Sequence, residues 1–513
     1  MNSTSTPSLV PHSALRIPHS NALGTAHTTT SPVPTTPGCT ITRRQFLRRS
    51  AALMAISLPL MTNRRVLGAN DEIRLALVGC GGRANDHISG LGSQKGVRFV
   101  AVCDPDQQRL KAAADSIEKK FKDRPDQVVD VRRLMERKDV DAFSVATMQY
   151  WHSLPTIWAC QTGRHVYVEK PLGHFIWEGR QMVNAARKYN RLVQVGTQSR
   201  SRDTDRQAIE FIRSGQLGKI KYIVCFANKL RTSIGKRTEP LPIPDSVDYE
   251  LWCGPARKEP IYRDRLQYDC SFTWNMGDGE SCNQGVHELD VARWVLGETG
   301  LPRRTMSIGG RFVFNDAGEV PNTQIMYYDY PSAPVLYEVH NLRAGKDSTE
   351  MPHYRNSRVD VCVQCEGGYV MMHAGQVFDH DGREIKKFTG AERHFQNFIE
   401  AVRTGRREDL HADVLDGHLS TAVCHAGNIS YRLGRKASAR EMRAQIGNLP
   451  PFQEMLDRYL VHLQAHDVDP AESTLGPWLE WDQAHERFKD NAKANRFVRG
   501  FYRKPFAVPE VKV

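Results

Sequence analysis

Long apolar runs are scarce in this sequence. The apolar segment Ala51–Met61 has about 11 residues, whereas a membrane-spanning helix needs about 20. We therefore expect no stable membrane insertion. Retention of the segment as an uncleaved anchor stays open, because Arg64 and Arg65 interrupt the region in which cleavage is expected.

Acidic residues and lysines are missing from residues 1–69, which carry seven arginines. The whole chain has a formal net charge of +12, so 12 − 7 leaves about +5 on the roughly 440 residues that follow. That excess is small, and no stripe of lysine and arginine interleaved with aromatic residues accompanies it. The charge pattern therefore argues against a nucleic-acid partner.

Cysteine pairs in metal-binding patterns are also scarce. The chain has 11 cysteines, and the C-x-x-C of Cys362 and Cys365 is not followed by a second pair or by a histidine pair. We interpret both as strand residues. His411, His418 and His425 are spaced by seven and are interpreted as packing or capping residues, with metal binding as the alternative. We predict no metal site and no dense disulfide framework.

A glycine-rich turn follows the first buried strand pattern. The segment Ile73–Val78 is typical of a parallel strand, and Gly79–Ala84 continues it as G-x-G-x-x-A, a variant of the dinucleotide-binding pattern. Its first glycine permits the tight turn, and its second lets the backbone approach a pyrophosphate. The predicted cofactor-binding residues of this turn are Gly79, Cys80, Gly81, Gly82, Arg83 and Ala84. A tight turn in another type of α/β protein is the alternative.

Polar residues stand at the ends of the later strand patterns. Asp104 lies 25 residues after Gly79, and a carboxylate there can accept the ribose hydroxyls and would repel a 2′-phosphate, which favours NAD over NADP. We expect Thr147, His152 and Glu169 to contact the cofactor as well, with a helix-start role as the alternative for His152. The alternation of strands and helices predicts a doubly wound parallel sheet.

Several of these motifs together resemble the Gfo/Idh/MocA oxidoreductases, a family named for glucose–fructose oxidoreductase and inositol dehydrogenase. The resemblance rests on Gly79–Ala84, Trp151-His152, Glu169-Lys170-Pro171 and Val193–Gln198, and it extends from about residue 71 to 434. It implies a Rossmann domain at 70–197, then an α/β domain at 198–434 with a large, mostly antiparallel sheet. It also implies a nicotinamide cofactor and a homo-oligomer formed through the exposed face of that sheet.

Strand patterns without clear helices between them support the second domain independently. They are Lys219–Phe226, Arg304–Phe314, Thr323–Tyr328, Val335–Asn341 and Val359–His373. Residues 435–513 are predicted to form a partly helical extension, with a helix at Asp482–Ala494.

The resemblance also implies catalytic residues. In the family, the lysine of Glu-Lys-Pro lies beside the nicotinamide and the reacting hydroxyl, a role that falls on Lys170. The family's Asp-x-x-x-His pattern falls on Asn283 to His287, and it makes His287 the acid/base that takes the hydroxyl proton. Asn283 departs from the aspartate, and an amide can orient an imidazole but cannot stabilise its charge. A nearby acid could substitute: Asp278, Glu280 or Asp290.

We expect the substrate to be a sugar, an inositol or a related polyol. The predicted substrate contacts are Lys170, Arg200, Asn283, His287 and Asp290. The leading function is hydride transfer between this substrate and a tightly bound nicotinamide. The alternatives are a glycosidase of similar fold that uses NAD transiently, and a non-catalytic sugar-binding protein.

The front of the chain is similar to an export signal. Residues 1–40 lack a hydrophobic pattern and are rich in serine, threonine and proline, which predicts disorder. Arg43-Arg44 followed by Phe46-Leu47 resembles a twin-arginine signal, and Leu67-Gly68-Ala69 offers small residues for cleavage before Asn70. We therefore predict that residues 1–69 are a leader and that the protein is exported to the periplasm folded around its cofactor. A basic amphipathic start without an export role is the alternative.

Overall fold

A six-stranded parallel sheet forms the first half of the structure. The computed structural model describes residues 72–513, and the predicted export signal at residues 1–69 lies outside them. The strands are β1 (Ile73–Val78), β2 (Val97–Cys103), β3 (Asp126–Val128), β4 (Ala142–Val145), β5 (His165–Val168) and β6 (Val193–Val195). Their spatial order is β3-β2-β1-β4-β5-β6, and all neighbours are parallel.

Helices cover both faces of this sheet, because the strand side chains are apolar on both sides. Leu75 and Leu77 of β1 belong to one apolar cluster, and Ala76 and Val78 belong to another. The helices of this half are α1 (Ala84–Gly92), α2 (Gln107–Phe121), α3 (Val131–Leu134), α4 (Ser153–Gln161) and α5 (Ile176–Lys188). The strand order reverses between β1 and β4, and this is the usual position of the ligand crevice in such a sheet.

A twelve-stranded sheet forms the second half. Its strands are β7 (Ile220–Asn228), β8 (Arg304–Gly310), β9 (Thr323–Tyr328), β10 (Val335–His340), β11 (Val359–Cys365), β12 (Tyr369–Met371), β13 (Gln376–Phe378), β14 (Glu384–Lys387), β15 (Arg435–Lys436), β16 (Thr474–Leu475), β17 (Leu479–Asp482) and β18 (Arg487–Phe488). Neighbouring strands are antiparallel except β7 and β10. The predicted fold class, a doubly wound parallel sheet followed by a large, mostly antiparallel one, is confirmed.

The remaining helices come from the second half of the chain and pack on either of the two sheets. They are α6 (Asp203–Arg213), α7 (Tyr249–Cys253), α8 (Gly279–Asn283), α9 (Gly285–Leu296), α10 (His394–Thr404), α11 (Val414–Arg432), α12 (Ala439–Ile446), α13 (Pro450–Gln464) and α14 (Ala492–Asn495). Helices α6, α9 and α11 pack on one face of the large sheet. Helix α11 also touches the first sheet so closely that a Cβ added at Gly417 would lie 2.5 Å from Val195 Cγ2.

Helices α12 and α13 cover the opposite face of the large sheet. Phe452, Met455, Leu456 and Tyr459 of α13 are fully buried, in one apolar cluster with side chains of β7, β8, β9 and β10. The oligomer contact predicted from the sequence needs an exposed face on this sheet. Over the central strands that face is occupied by the chain's own C-terminal extension.

The predicted helix at Asp482–Ala494 is wrong. The chain forms a hairpin there, in which β17 pairs with β18, followed by the short α14. Trp481 and Phe488 pack together inside it with ring centroids 4.5 Å apart, and both are buried. Glu486 and Asp490 adopt left-handed backbone angles, with φ of 49° and 47°, which a helix does not allow. The helices of the extension are α12 and α13 instead.

Residues 72–513 contain neither a candidate membrane-spanning helix nor a disulfide bond. None of their helices combines the length and the hydropathy that a membrane span requires. Their ten cysteines are all buried and free. Cys362 and Cys365 lie in β11, as the interpretation of the C-x-x-C as strand residues predicts.

Candidate functional site

A cleft with a volume of about 440 Å³ opens at the carboxyl ends of β1 and β4. It brings together most of the cofactor-binding residues predicted from the sequence: Gly79, Gly81, Gly82, Arg83, Asp104, Thr147, His152 and Glu169. Lys170 and Asn283 line the same cleft. Cys80 and Ala84 are not among the residues that line the cleft. Both are buried, with 9% and 1% of their surface exposed.

The glycine turn leaves backbone amides without hydrogen-bond acceptors at the cleft. Gly79 has φ of +90°, and a Cβ there would lie 2.6 Å from Thr147 N, so only glycine fits. A Cβ on Gly82 would meet nothing within 4 Å, so this residue faces open space. Among the described residues, the amides of Gly81, Gly82 and Arg83 have no acceptor. Three free N–H groups at the start of α1 are suited to bind a pyrophosphate.

Asp104 and Thr147 complete the fit to a dinucleotide. Asp104 accepts hydrogen bonds from Cys80 N at 2.7 Å and Asp106 N at 2.9 Å, and each carboxylate oxygen keeps a second lone pair for a ribose hydroxyl. Burial raises the pKa of Asp104, although these two backbone hydrogen bonds oppose the change. Thr147 Oγ1 is buried and has no partner among the described residues. A buried hydroxyl of this kind needs a partner, which a bound cofactor would supply.

Glu169 forms a buried ion network at the cleft wall. Its Oε1 accepts from Arg83 Nε at 2.8 Å and lies 3.0 Å from His87 Nε2. Burial raises the pKa of Glu169, but the His87 hydrogen bond and the Arg83 charge outweigh it and hold that pKa well below its usual range. A Cβ added at Gly196 would lie 2.7 Å from Glu169 Oε1. Sequence reasoning missed His87, although its position four residues after Arg83 indicates the same helix face.

His152 is held by the protein on both sides of its ring. Its Nδ1 lies 2.7 Å from Pro171 O, and its Nε2 lies 3.0 Å from Thr147 O. The ring therefore ties the end of β4 to the turn that carries the catalytic lysine candidate. Its expected contact with the cofactor stays a prediction.

Lys170 donates to a backbone carbonyl at the floor of the cleft. Its Nζ lies 2.7 Å from Asn283 O and 3.3 Å from Asn283 Oδ1. Burial lowers the pKa of Lys170, while the charges of Glu169 and Glu280 oppose that change. The carbonyl holds the ammonium without neutralising it.

His287 lies in a second cavity, which shares the Arg83 side chain with the cofactor cleft. No described residue hydrogen-bonds either ring nitrogen of His287. Burial and then the charge of Lys170 hold its pKa well below 6.5, so the imidazole is neutral at pH 7 and free to accept a proton. Other polar residues of this cavity include Gln198, Ser199, Arg202, Gln284, Glu288 and His373.

Asn283 does not orient His287. Its amide nitrogen donates to Tyr268 Oη at 2.6 Å and to Glu280 Oε2 at 3.2 Å, and its oxygen atoms face Lys170. The acids that were expected to substitute are paired elsewhere: Asp278 with His174, Glu280 with Arg231 and Asp290 with Arg200. Within residues 72–513, no carboxylate hydrogen-bonds the His287 ring.

Arg200 and Asp290 form a buried ion pair away from both cavities. Arg200 Nε and Nη2 lie 2.8 and 3.0 Å from the two oxygens of Asp290. The side chains are 8% and 0% exposed, and Ser420 donates to the same carboxylate. The structure thus places both residues in the core between Gln198–Ser201 and α9, rather than where the sequence predicted substrate contacts.

His373 is a charged residue of the second cavity that sequence reasoning missed. Burial lowers its pKa, but Asp205, Glu288 and Asp360 raise it to about 10, so it is an imidazolium at pH 7. It follows strand β12 outside any recognised motif, and no sequence signal marks it. Its cluster places fixed charges beside the neutral His287.

Two family models match this chain. The model of an oxidoreductase family with an NAD-binding Rossmann fold matches residues 73–197, and the model of the C-terminal alpha/beta domain of an oxidoreductase family matches residues 211–334.

Several curated relatives are named as glycosidases. A glycosyl hydrolase family 109 protein 1 from Akkermansia muciniphila is 28% identical over 159 residues, which are 30% of this chain and 32% of that protein. An alpha-N-acetylgalactosaminidase from Shewanella oneidensis is 23% identical over 206 residues, 35% of this chain and 44% of that protein. The chain thus spans less than half the length of these relatives.

Two solved structures share the fold. An aldose-aldose oxidoreductase from Caulobacter crescentus, complexed with glycerol, has a TM-score of 0.53 and 18% identity, and covers 72% of this chain and 98% of its own. A WlbA dehydrogenase from Bordetella pertussis, in complex with NADH and UDP-GlcNAcA, has a TM-score of 0.51 and 20% identity, and covers 70% of this chain and 97% of its own. At these identities the likeness concerns the fold alone.

Proposed function

Because this chain belongs to the Gfo/Idh/MocA oxidoreductase family and carries an NAD-binding Rossmann domain, we propose that it oxidises a ring hydroxyl of a sugar, an inositol or a related polyol. The observation that carries this proposal is that Lys170 lies in the cofactor cleft, while the adjoining cavity holds His287, whose ring has no hydrogen-bond partner among the described residues. One group can donate to a substrate oxygen, and the other can accept its proton.

The chain's own residues would manage the substrate oxygen and its proton. Bound NAD supplies the hydride acceptor. Lys170 Nζ would exchange its bond with the Asn283 carbonyl for one with the substrate oxygen, and its charge would stabilise negative charge that develops there. A ring nitrogen of His287 would take the hydroxyl proton, which needs the neutral imidazole. The free amides at Gly81–Arg83 and the Asp104 carboxylate would hold the dinucleotide in place.

A glycosidase that uses NAD transiently is the second candidate. Two observations favour it: the names of the matched relatives, and the lack of a carboxylate partner for the His287 ring within the described residues. In such a reaction the oxidised sugar eliminates its aglycone, water adds, and the sugar is reduced again. The redox cycle closes, so no net NADH forms.

The two functions separate in one set of assays. Free polyols and sugars incubated with the protein and NAD should give net NADH if the first proposal holds. Glycosides should release aglycone without net NADH if the second holds. Lys170→Ala should lower either activity by about 100-fold, whereas Lys221→Ala, a change at an exposed lysine of β7, should not. Full activity in Lys170→Ala would refute a catalytic lysine.

We also propose that residues 1–69 direct twin-arginine export, on the strength of Arg43-Arg44 and the Phe46-Leu47 that follows. Conversion of both arginines to lysine should leave the protein in the cytoplasmic fraction of a suitable host. Arg64→Lys with Arg65→Lys is the matched control and should still be exported. Export of the first double variant would contradict the proposal.

A further inference from the structure

Three side chains with different metal-ligating atoms converge behind the Lys170 turn. Asp278 and Cys282 lie at the start and near the end of α8, and His425 lies on α11 opposite them. All three residues are buried, and their ligand atoms lie within 4.8 Å of one another. We propose that Asp278, Cys282 and His425 bind a zinc ion.

The distances in this cluster approach those of a zinc tetrahedron. Cys282 Sγ and Asp278 Oδ1 each lie 3.8 Å from His425 Nδ1. Zinc–ligand bonds of 2.0–2.3 Å at tetrahedral angles separate neighbouring ligand atoms by about 3.3–3.6 Å. The two distances to His425 Nδ1 would therefore need to shorten by only a few tenths of an ångström around the ion.

Hydrogen bonding presents His425 Nδ1 as a ligand. The opposite ring nitrogen, Nε2, lies 3.0 Å from Gly173 O. A carbonyl only accepts, so Nε2 carries a hydrogen, and Nδ1 is the nitrogen that faces Cys282 and Asp278. Metal-binding histidines are commonly oriented in this way by a carbonyl on the second nitrogen.

The hydrogen bonds of the Asp278 carboxylate also leave one of its oxygens available to a metal. Its Oδ2 accepts from Gln149 and lies 2.8 Å from His174 Nδ1, which leaves Oδ1 directed at His425. Asn428 Nδ2 donates to the Asp278 backbone oxygen at 2.8 Å and lies 3.7 Å from Cys282 Sγ. The amide can thus support a thiolate.

Charge and ligand type favour zinc over a hard cation. When a metal binds, the Cys282 thiol would lose its proton, and its thiolate and the Asp278 carboxylate would then carry two negative charges. A divalent ion balances them. Sulfur and imidazole nitrogen suit zinc, whereas magnesium and calcium prefer oxygen ligands. Three protein ligands leave the fourth position to water.

The site would fix the partners of Lys170. Asn283, whose carbonyl receives the Lys170 ammonium, directly follows Cys282 in α8. Gly173, which receives His425, lies two residues after Pro171. A zinc ion would therefore fasten α8 and the Lys170 turn to α11. This role stands independently of the reaction that the enzyme catalyses.

Metal analysis of the full chain tests the proposal. The purified protein, incubated with zinc and dialysed, should retain about one zinc ion per chain, and a chelator should lower its Tm. Cys282→Ser and His425→Gln should lose the metal and the chelator effect. Cys362→Ser, which alters a buried cysteine of β11 outside the cluster, should keep both. Retention of zinc in Cys282→Ser, or no bound zinc in the wild type, would overturn the site.

A spectroscopic measurement decides the matter if the Cys282 variant does not fold. Cobalt added to the metal-free wild type should give a thiolate-to-cobalt charge-transfer band and visible bands of tetrahedral intensity. Cobalt binding without the thiolate band would place the ion elsewhere and refute the cluster as the site.

Discussion

Lys170 meets a neutral carbonyl where the family pattern leads one to expect a carboxylate nearby. The substitution of asparagine for aspartate at position 283 changes the charge next to the ammonium, since Asn283 Oδ1 lies 3.3 Å from Lys170 Nζ. The pKa of Lys170 is lowered by burial, and an amide does nothing to restore it. The positive charge is thus held with little compensation from Asn283, which favours its attraction to a developing oxyanion.

Asn283→Asp should shift the alkaline limb of the activity to higher pH. The new carboxylate would favour the charged form of Lys170 and raise its pKa, by about one unit. Lys170 donates only when protonated, so activity would persist to higher pH before it falls. The pH profile of kcat/KM measures this. Asn275→Asp, at an asparagine bound to Arg257, is the control, and an unmoved limb in Asn283→Asp would show that Lys170 does not set it.

At the residue scale, the sequence predicted those features that depend on residues close together in the chain. The turn at Gly79 and the cleft position of Lys170 follow from motifs whose geometry is set within a few residues. The Arg200–Asp290 pair and the contacts of Asn283 could not be predicted in this way. They depend on how Gln198–Ser201 and α8 pack against α9 and α11, and a 90-residue separation between Arg200 and Asp290 leaves no trace in local periodicity.

At the scale of elements, helix α13 packs on the large sheet through a histidine pair. His462 of α13 and His340 at the end of β10 lie with ring centroids 4.3 Å apart. His340 Nδ1 and His462 Nε2 are buried without a partner among the described residues. Burial lowers the pKa of His462 from 6.5 to about 4 and holds that of His340 well below 6.5.

The free energy of unfolding should fall on acidification because of this pair. Both folded-state pKa values lie below the ordinary value, so the neutral rings contribute full stability above pH 6.5, and that contribution is lost as the pH falls from 6.5 towards 4. For His462 the loss between pH 7.5 and pH 5 is about 2 kcal/mol. Urea denaturation at the two pH values measures it.

His462→Leu should remove that part of the pH dependence, because leucine keeps an apolar contact and does not titrate. His380→Gln, at an exposed histidine, should leave the dependence unchanged. An equal fall in stability for His462→Leu and the wild type would assign the effect to other groups.

At the scale of the whole molecule, the C-terminal extension covers one face of the large sheet. The order of strands and helices in the first half could be predicted from strand-end residues and glycine turns. The covering of the large sheet could not be predicted in this way. The apolar positions of α13 indicate an amphipathic helix, but they do not indicate the surface on which that helix packs. The predicted helix at 482–494 failed for a related reason: Trp481 and Phe488 favour strand pairing once a neighbouring strand, β8, is present.

Removal of residues 435–513 should cause the protein to self-associate. The truncation would expose an apolar face that includes Met306, Ile308, Ile325, Tyr327 and Leu336, and exposed patches of this kind drive association. Light scattering coupled to gel filtration would show a larger mass for the truncated chain than for the full chain at equal concentration. Equal masses would show that α12 and α13 do not shield the sheet from self-association.

The shared wall between the two cavities has a thermodynamic consequence. Arg83 borders both the cofactor cleft and the cavity of His287, so a ligand that shifts its guanidinium in one alters the surface presented in the other. The two binding free energies are then linked, and linkage is reciprocal. The Kd of a polyol or glycoside should differ between NAD-loaded and NAD-free protein, and NAD affinity should change by the same factor. Arg83→Met should reduce that factor towards one, so that the two ligands bind independently of each other.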